Sequence, residues 1–107
     1  MDCANARGVK SISANELEAQ LQSGEAPFLL DVREPEELAD GLIAGSVNIP
    51  MEEIESRLNE IPTEREIVVI CHLGARSSYV TRRLNALGYS CAVNLSGGMD
   101  AWLTRSD

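Results

Sequence analysis

An α/β domain with a mostly parallel central sheet and helices on both faces is the fold class that this sequence predicts. Three observations carry that expectation. The runs Phe28-Leu29-Leu30-Asp31-Val32 and Ile67-Val68-Val69-Ile70 are apolar without alternation, as strands covered on both faces must be. Strand patterns alternate with helical ones along nearly the whole chain, the order that makes parallel strands joined by crossover helices. A length of 107 residues, 44% hydrophobic and 24% charged, suits one compact core and excludes disordered, collagen-like and membrane-spanning classes.

The elements follow in order. Residues 1–8 read as a loose lead-in, 9–104 as the domain and 105–107 as a short tail. Residues 9–12 form a short strand, and Ser13 followed three residues later by Glu16 is a capping box that opens a helix over Ala14–Gln22. Gly24 stops that helix. Phe28 to Val32 is the first buried strand, and Pro35 then starts a short acidic turn, Glu36-Glu37-Leu38-Ala39. Residues 46–49, between Gly45 and Pro50, are a weaker strand.

Met51, Ile54, Leu58 and Ile61 recur at spacings of three, four and three, which predicts a helix sending Glu52, Glu53, Glu55 and Arg57 to water. The β-branched run Ile67–Ile70 is the central strand, ending at Cys71. From Arg76 onward Val80, Leu84 and Leu87 mark a helix closed by Gly88. Ala92–Leu95 is the last strand, Gly97-Gly98 a turn, and residues 99–104 a closing helix that docks Trp102.

Charge and cysteine usage narrow the function. Seventeen acidic against nine basic residues give a formal charge of -8, which repels phosphate backbones, and 4% aromatic content offers no stacking platform. No nucleic-acid partner is expected. Cys3, Cys71 and Cys91 are odd in number and lack CxxC spacing, which argues against a disulfide framework and a zinc site. No apolar stretch is long enough for a membrane span, and no cofactor or metal is expected. The reading is a cytoplasmic protein.

Chemistry is expected at Cys71-His72-Leu73-Gly74-Ala75-Arg76-Ser77, which joins a buried strand to a helix in few residues. Ligands bind at the carboxyl ends of strands in open α/β sheets. A loop made permissive by Gly74 can turn successive N–H groups inward as a nest, and the helix N-terminus adds partial positive charge. The first anion so stabilised is the Cys71 thiolate, aided by Arg76. Cysteines are more often small core residues, but the glycine, the arginine and the strand-to-helix junction together favour a nucleophile. Cys3 reads as a frayed terminus and Cys91 as strand packing. His72 has no triad partner at a recognisable spacing, and Arg33 more readily pairs with Asp31, Glu34 or a loop carbonyl than with a ligand.

Four motifs in order, Asp31-Val32-Arg33-Glu34-Pro35-Glu36-Glu37, Gly45-Ser46-Val47-Asn48-Ile49-Pro50, the loop from Cys71 to Ser77, and Leu95-Ser96-Gly97-Gly98-Met99-Asp100-Ala101-Trp102, resemble the single-domain rhodaneses. The resemblance covers residues 9–104. It implies the rhodanese-like fold and a sulfurtransferase in which Cys71 takes a sulfane sulfur from a thiosulfate-like donor or a protein persulfide. The resulting persulfide, held by loop amides across His72, Leu73, Gly74, Ala75, Arg76 and Ser77, passes sulfur to a thiol or cyanide. Arg76 assists anion binding, and Asp31 and Arg33 support the site from behind. Two departures stand out. Gly41-Leu42-Ile43-Ala44-Gly45 lacks the family's usual His and Pro, which affects packing. Glu37 stands where larger two-domain relatives tend to carry a second arginine, which argues against thiosulfate as the natural donor.

Three alternatives remain open at this level. A Cdc25-type phosphatase or arsenate reductase shares the fold but has one more residue between Cys and Arg than the four here, His72 to Ala75. A non-catalytic module that binds a partner protein commonly lacks the cysteine. A redox-sensing thiol would exploit the same low pKa.

Overall fold

The computed structural model describes residues 10–105. Cys3, Val9, the lead-in and the last two residues of the expected tail lie outside the described residues. Five strands, β1 (Ser11–Ile12), β2 (Phe28–Asp31), β3 (Val47–Asn48), β4 (Ile67–Ile70) and β5 (Ala92–Leu95), form one sheet in the order β1-β5-β4-β2-β3. Every pairing is parallel, with Leu30 opposite Val69 and Val68 opposite Val93. All the carboxyl ends therefore open on one edge of the sheet, with β4 in the centre.

The unalternating strands are explained by two cores. Ile67 and Val69 of β4 face Leu30, Ile49, Val80 and Leu84, while Val68 and Ile70 face Leu17, Leu29, Leu95 and Trp102. Each such burial is worth about 1.5–3 kcal/mol, so both faces of β4 contribute to stability. The first core is closed by α2 (Ala75–Ala86) and the second by α1 (Ala14–Gln22) and α3 (Gly98–Leu103). At the start of α1, Glu16 N–H donates to Ser13 Oγ at 3.0 Å and Ser13 N–H to Glu16 Oε1 at 2.8 Å, the capping box expected there. Arg105 lies over the Trp102 ring, 3.8 Å from its centroid, and pairs with Glu18.

The helix predicted from the Met51, Ile54, Leu58 and Ile61 spacing does not form. Two short 3₁₀ turns, Met51–Glu53 and Leu58–Glu60, stand in its place. Pro50, in the capping position, has no side-chain acceptor to offer, Ser56 Oγ turns back on the Glu53 carbonyl, and Arg57 leaves helical geometry at φ -124°. Ile54 and Ile61 are nonetheless buried in the first core, because spacings of three and four bring the same side of a 3₁₀-and-turn path inward. Leu87 also departs from expectation: α2 ends before it and leaves it 40% exposed. Among the described residues no helix is long and apolar enough to cross a membrane.

Candidate active site

β4 delivers Cys71 to the open edge, and α2 begins four residues later. Gly74 takes φ +109°, a left-handed turn that side chains rarely adopt, and the chain reverses there in a single step. Its N–H then donates to Cys71 Sγ at 3.0 Å. Leu73 and Ser77 N–H groups point at the same sulfur, and Ser77 Oγ lies 3.2 Å from it. Burial pushes the Cys71 thiol up, but the Ser77 hydroxyl and the Ser77, Gly74 and Leu73 amides together outweigh it and bring the pKa below the ordinary cysteine value. The side chain itself is 1% exposed and belongs to the first core. The cysteine thus packs as a core residue while its sulfur faces backbone donors of its own loop.

The loop is fixed from outside by α3. Met99 N–H donates to the Cys71 carbonyl at 2.8 Å and Asp100 N–H to the His72 carbonyl at 3.0 Å. With these carbonyls held outward, the following amides turn toward the sulfur. Such contact requires Gly98, where an added Cβ would lie 2.5 Å from the Cys71 carbonyl oxygen and 2.6 Å from that of His72. From below, the Ser77 hydroxyl is bonded to Asn94 Oδ1 on β5. In the sequence Gly98 reads as a turn residue and Asn94 as a strand residue. The available signals were the doubled glycine after a strand and a lone amide in an apolar run, since a buried amide must find a partner.

A cleft of about 160 Å³ over the sulfur is lined by Cys71, His72, Leu73, Ala75 and Arg76. His72, Leu73 and Ala75 are exposed at its rim, whereas Ser77 is buried beneath. Arg76 stands at the mouth, but its two terminal nitrogens each donate to Glu37 at 2.8 Å. Beside this guanidinium the Glu37 carboxyl is lowered to about 2. Arg33 does not reach the cleft. It is 1% exposed and forks onto Asp31 at 2.8–3.2 Å, with further bonds to the Glu37 and Gly41 carbonyls. Its ion pair with Asp31 is the expected one. Through those carbonyls it shapes the 3₁₀ turn Pro35–Asp40, which carries Glu37 to Arg76.

Cys71 is the free cysteine among the described residues. Cys91, expected as strand packing, is instead disulfide-bonded and buried just ahead of β5, at the opposite end of the sheet from the loop.

A parallel sheet with a cysteine at the end of its central strand, ringed by amides of a six-residue loop, defines a small α/β domain built around one sulfur atom. The model of the rhodanese-like domain matches residues 13–105, and the chain belongs to that family. It is 38% identical to a sulfurtransferase of Allochromatium vinosum over 94 residues, covering 88% of each chain. It is 35% identical to the human thiosulfate:glutathione sulfurtransferase, covering 92% of this chain and 96% of that one. The crystal structure of a rhodanese-like domain protein from Staphylococcus aureus superposes with a TM-score of 0.83 at 38% identity, covering 88% of this chain and 91% of that one.

Proposed function

We propose that this protein is a sulfurtransferase whose Cys71 thiolate carries the sulfur as a persulfide. The observation that carries the reading is the convergence of loop amides on Sγ, with Gly74 N–H at 3.0 Å, on a cysteine whose pKa is lowered despite burial. The sulfurtransferase names of two relatives that align over most of their length support it. In the first half-reaction Sγ attacks the outer sulfur of the donor, the Sγ–S bond forms, and the donor's S–S bond breaks with its electron pair leaving on sulfite or a thiolate. In the second, a thiolate or cyanide attacks the outer sulfur, and the Cys71 thiolate is restored as leaving group. The amides suit both halves, because they stabilise negative charge on sulfur without reorganising.

His72, Leu73 and Ala75 line the approach, Gly74 and Ser77 hold the sulfur, and Arg76 stands at the mouth paired with Glu37. Asp31 and Arg33 act only by building the turn behind Arg76. The chemistry needs the Cys71 thiol free, as it is here, while Cys91 at the far end of the sheet is disulfide-bonded. Sulfur chemistry is favoured over phosphoryl transfer because the donors converge on Sγ itself in a loop with four residues between Cys71 and Arg76.

The test is intact mass after exposure to thiosulfate and, separately, to a persulfide source. Addition of one sulfur atom, absent in Cys71→Ser, is expected from at least one donor. Turnover of an aryl phosphate by the wild-type chain, lost in Cys71→Ser, would instead establish a phosphatase.

A further inference from the structure

We propose that Glu37 sets which donors the site accepts, by cancelling the charge of Arg76 at the mouth of the cleft and so selecting organic persulfides over the dianion thiosulfate. The inference rests on the sulfur-transfer reading above and gives it a substrate class.

The charges around the cleft argue for it. Among the described residues Arg76 is the one guanidinium lining the cleft, and both of its terminal nitrogens are taken by Glu37 at 2.8 Å. The nearby Arg33 is consumed by Asp31 and two carbonyls. Glu34 lies close enough to Glu52 to hydrogen-bond with it, and its field also reaches Arg76. The mouth therefore carries more carboxylate than guanidinium. An incoming dianion meets no net positive charge before it reaches the loop amides, whereas a persulfide on an uncharged carbon skeleton brings at most one charge, on the sulfur to be transferred.

Apolar surface points the same way. Leu73 is 64% and Tyr79 52% exposed, and Met51, Ala75, Tyr79 and the Arg76 stem form a shallow trough. Ala75 and Arg76 line both this trough and the cleft, so the two are continuous. A donor with a carbon skeleton can cover that surface, and thiosulfate cannot. The step balances without a further reagent: Cys71 thiolate and R–S–SH give Cys71–S–SH and R–S⁻.

The experiment is single-turnover loading of Cys71 with thiosulfate and with 2-hydroxyethyl persulfide, whose carbon skeleton is uncharged, read as the ratio of the first efficiency to the second. Glu37→Gln keeps the side-chain oxygen that accepts the Glu34 N–H and removes the charge. That ratio should rise by roughly tenfold at low ionic strength and less at high salt, since charge at a surface site is screened. Arg76→Gln, which leaves Glu37 uncompensated, should move it the other way. Thermal midpoints identify a variant that has lost its fold, and the opposite signs keep the test decisive if one has. A ratio unchanged in both variants, an equal fall for both donors, or a wild-type preference for thiosulfate would overturn the proposal. Loading by neither donor in the wild type would remove the sulfur-transfer reading itself, whereas loading with an unchanged ratio removes this inference alone.

Discussion

The ends of β2 and β4 lie side by side on the same edge of the sheet, and each holds a buried anionic group in a different way. At β2 the Asp31 carboxylate is met by a side chain, Arg33, and the pair is sealed to 1–2% exposure with every partner internal. At β4 the Cys71 sulfur is met by backbone amides of its own loop, and a cleft of about 160 Å³ stays open above it. A guanidinium that is saturated by a neighbour has nothing left for a ligand, while a ring of amides can follow the charge from the sulfur of the thiolate to that of the persulfide. On the function proposed above, the first end is structure and the second is chemistry, although both are built from a strand, a turn and a charge.

Substitutions at the two ends should separate these roles. Cys71→Ser should reduce sulfur loading at least about a thousandfold with no loss of fold, read by intact mass and circular dichroism. Arg33→Met should leave activity limited only by folding, because it strands the Asp31 charge in the core and costs about 3–5 kcal/mol. Urea midpoints measure that cost, and the double replacement Asp31→Leu with Arg33→Met should recover much of it. If the single Arg33 change instead left stability intact and abolished donor binding, the division between the two ends would fail.

Gly98→Ala tests how the amide ring is held. Its Cβ would press on the Cys71 and His72 carbonyls at a backbone φ of +60°, so a loss of about 1–3 kcal/mol and slower loading are expected together. Ser77→Ala removes the hydroxyl that favours the thiolate. The midpoint of Cys71 alkylation against pH should therefore move up, and the rate at pH 7 should fall roughly three- to tenfold. A downward move would mean that the hydroxyl accepts from the thiol instead of donating to sulfur.

The smallest effect should come from the Arg76–Glu37 pair. Both side chains are about a third exposed, so Arg76→Ala should change stability by no more than about 1 kcal/mol, in contrast with Arg33. Glu37 is lowered to about 2 from the ordinary carboxylate value, first by its hydrogen bonds to Arg76. A carboxylate with a depressed folded pKa contributes fully above its unfolded pKa and loses that contribution as pH falls through the folded one. The pair should thus persist unchanged from pH 8 to about 5 and weaken only toward pH 2. Stability followed against pH in wild type and Arg76→Ala should differ by a constant amount from pH 8 to about 5 and converge as the pH falls toward 2.

Sequence alone determined the strands, because an apolar β-branched run such as Ile67–Ile70 can be satisfied only between two covered faces. It also determined α1, through the Ser13–Glu16 capping box, and singled out Cys71 as the proposed nucleophile, since it stands where such a strand meets a helix across a permissive glycine. The segment from Met51 to Ile61 shows where periodicity stops being informative. Spacings of three and four reported which residues face inward, but two 3₁₀ turns satisfy that pattern as well as one helix, and the missing cap decides between them.

Only the tertiary structure could decide the contacts that cross between elements. Gly98 is required because α3 donates two amides to the Cys71 loop, each from 28 residues further along the chain. Asn94 meets Ser77 because β5 lies beside β4. Glu37 reaches Arg76 because Arg33, saturated by Asp31, bends the intervening turn toward the neighbouring strand end. Local chemistry chooses the conformation of each segment, whereas the partner of a charge is chosen by which strand ends the sheet brings side by side.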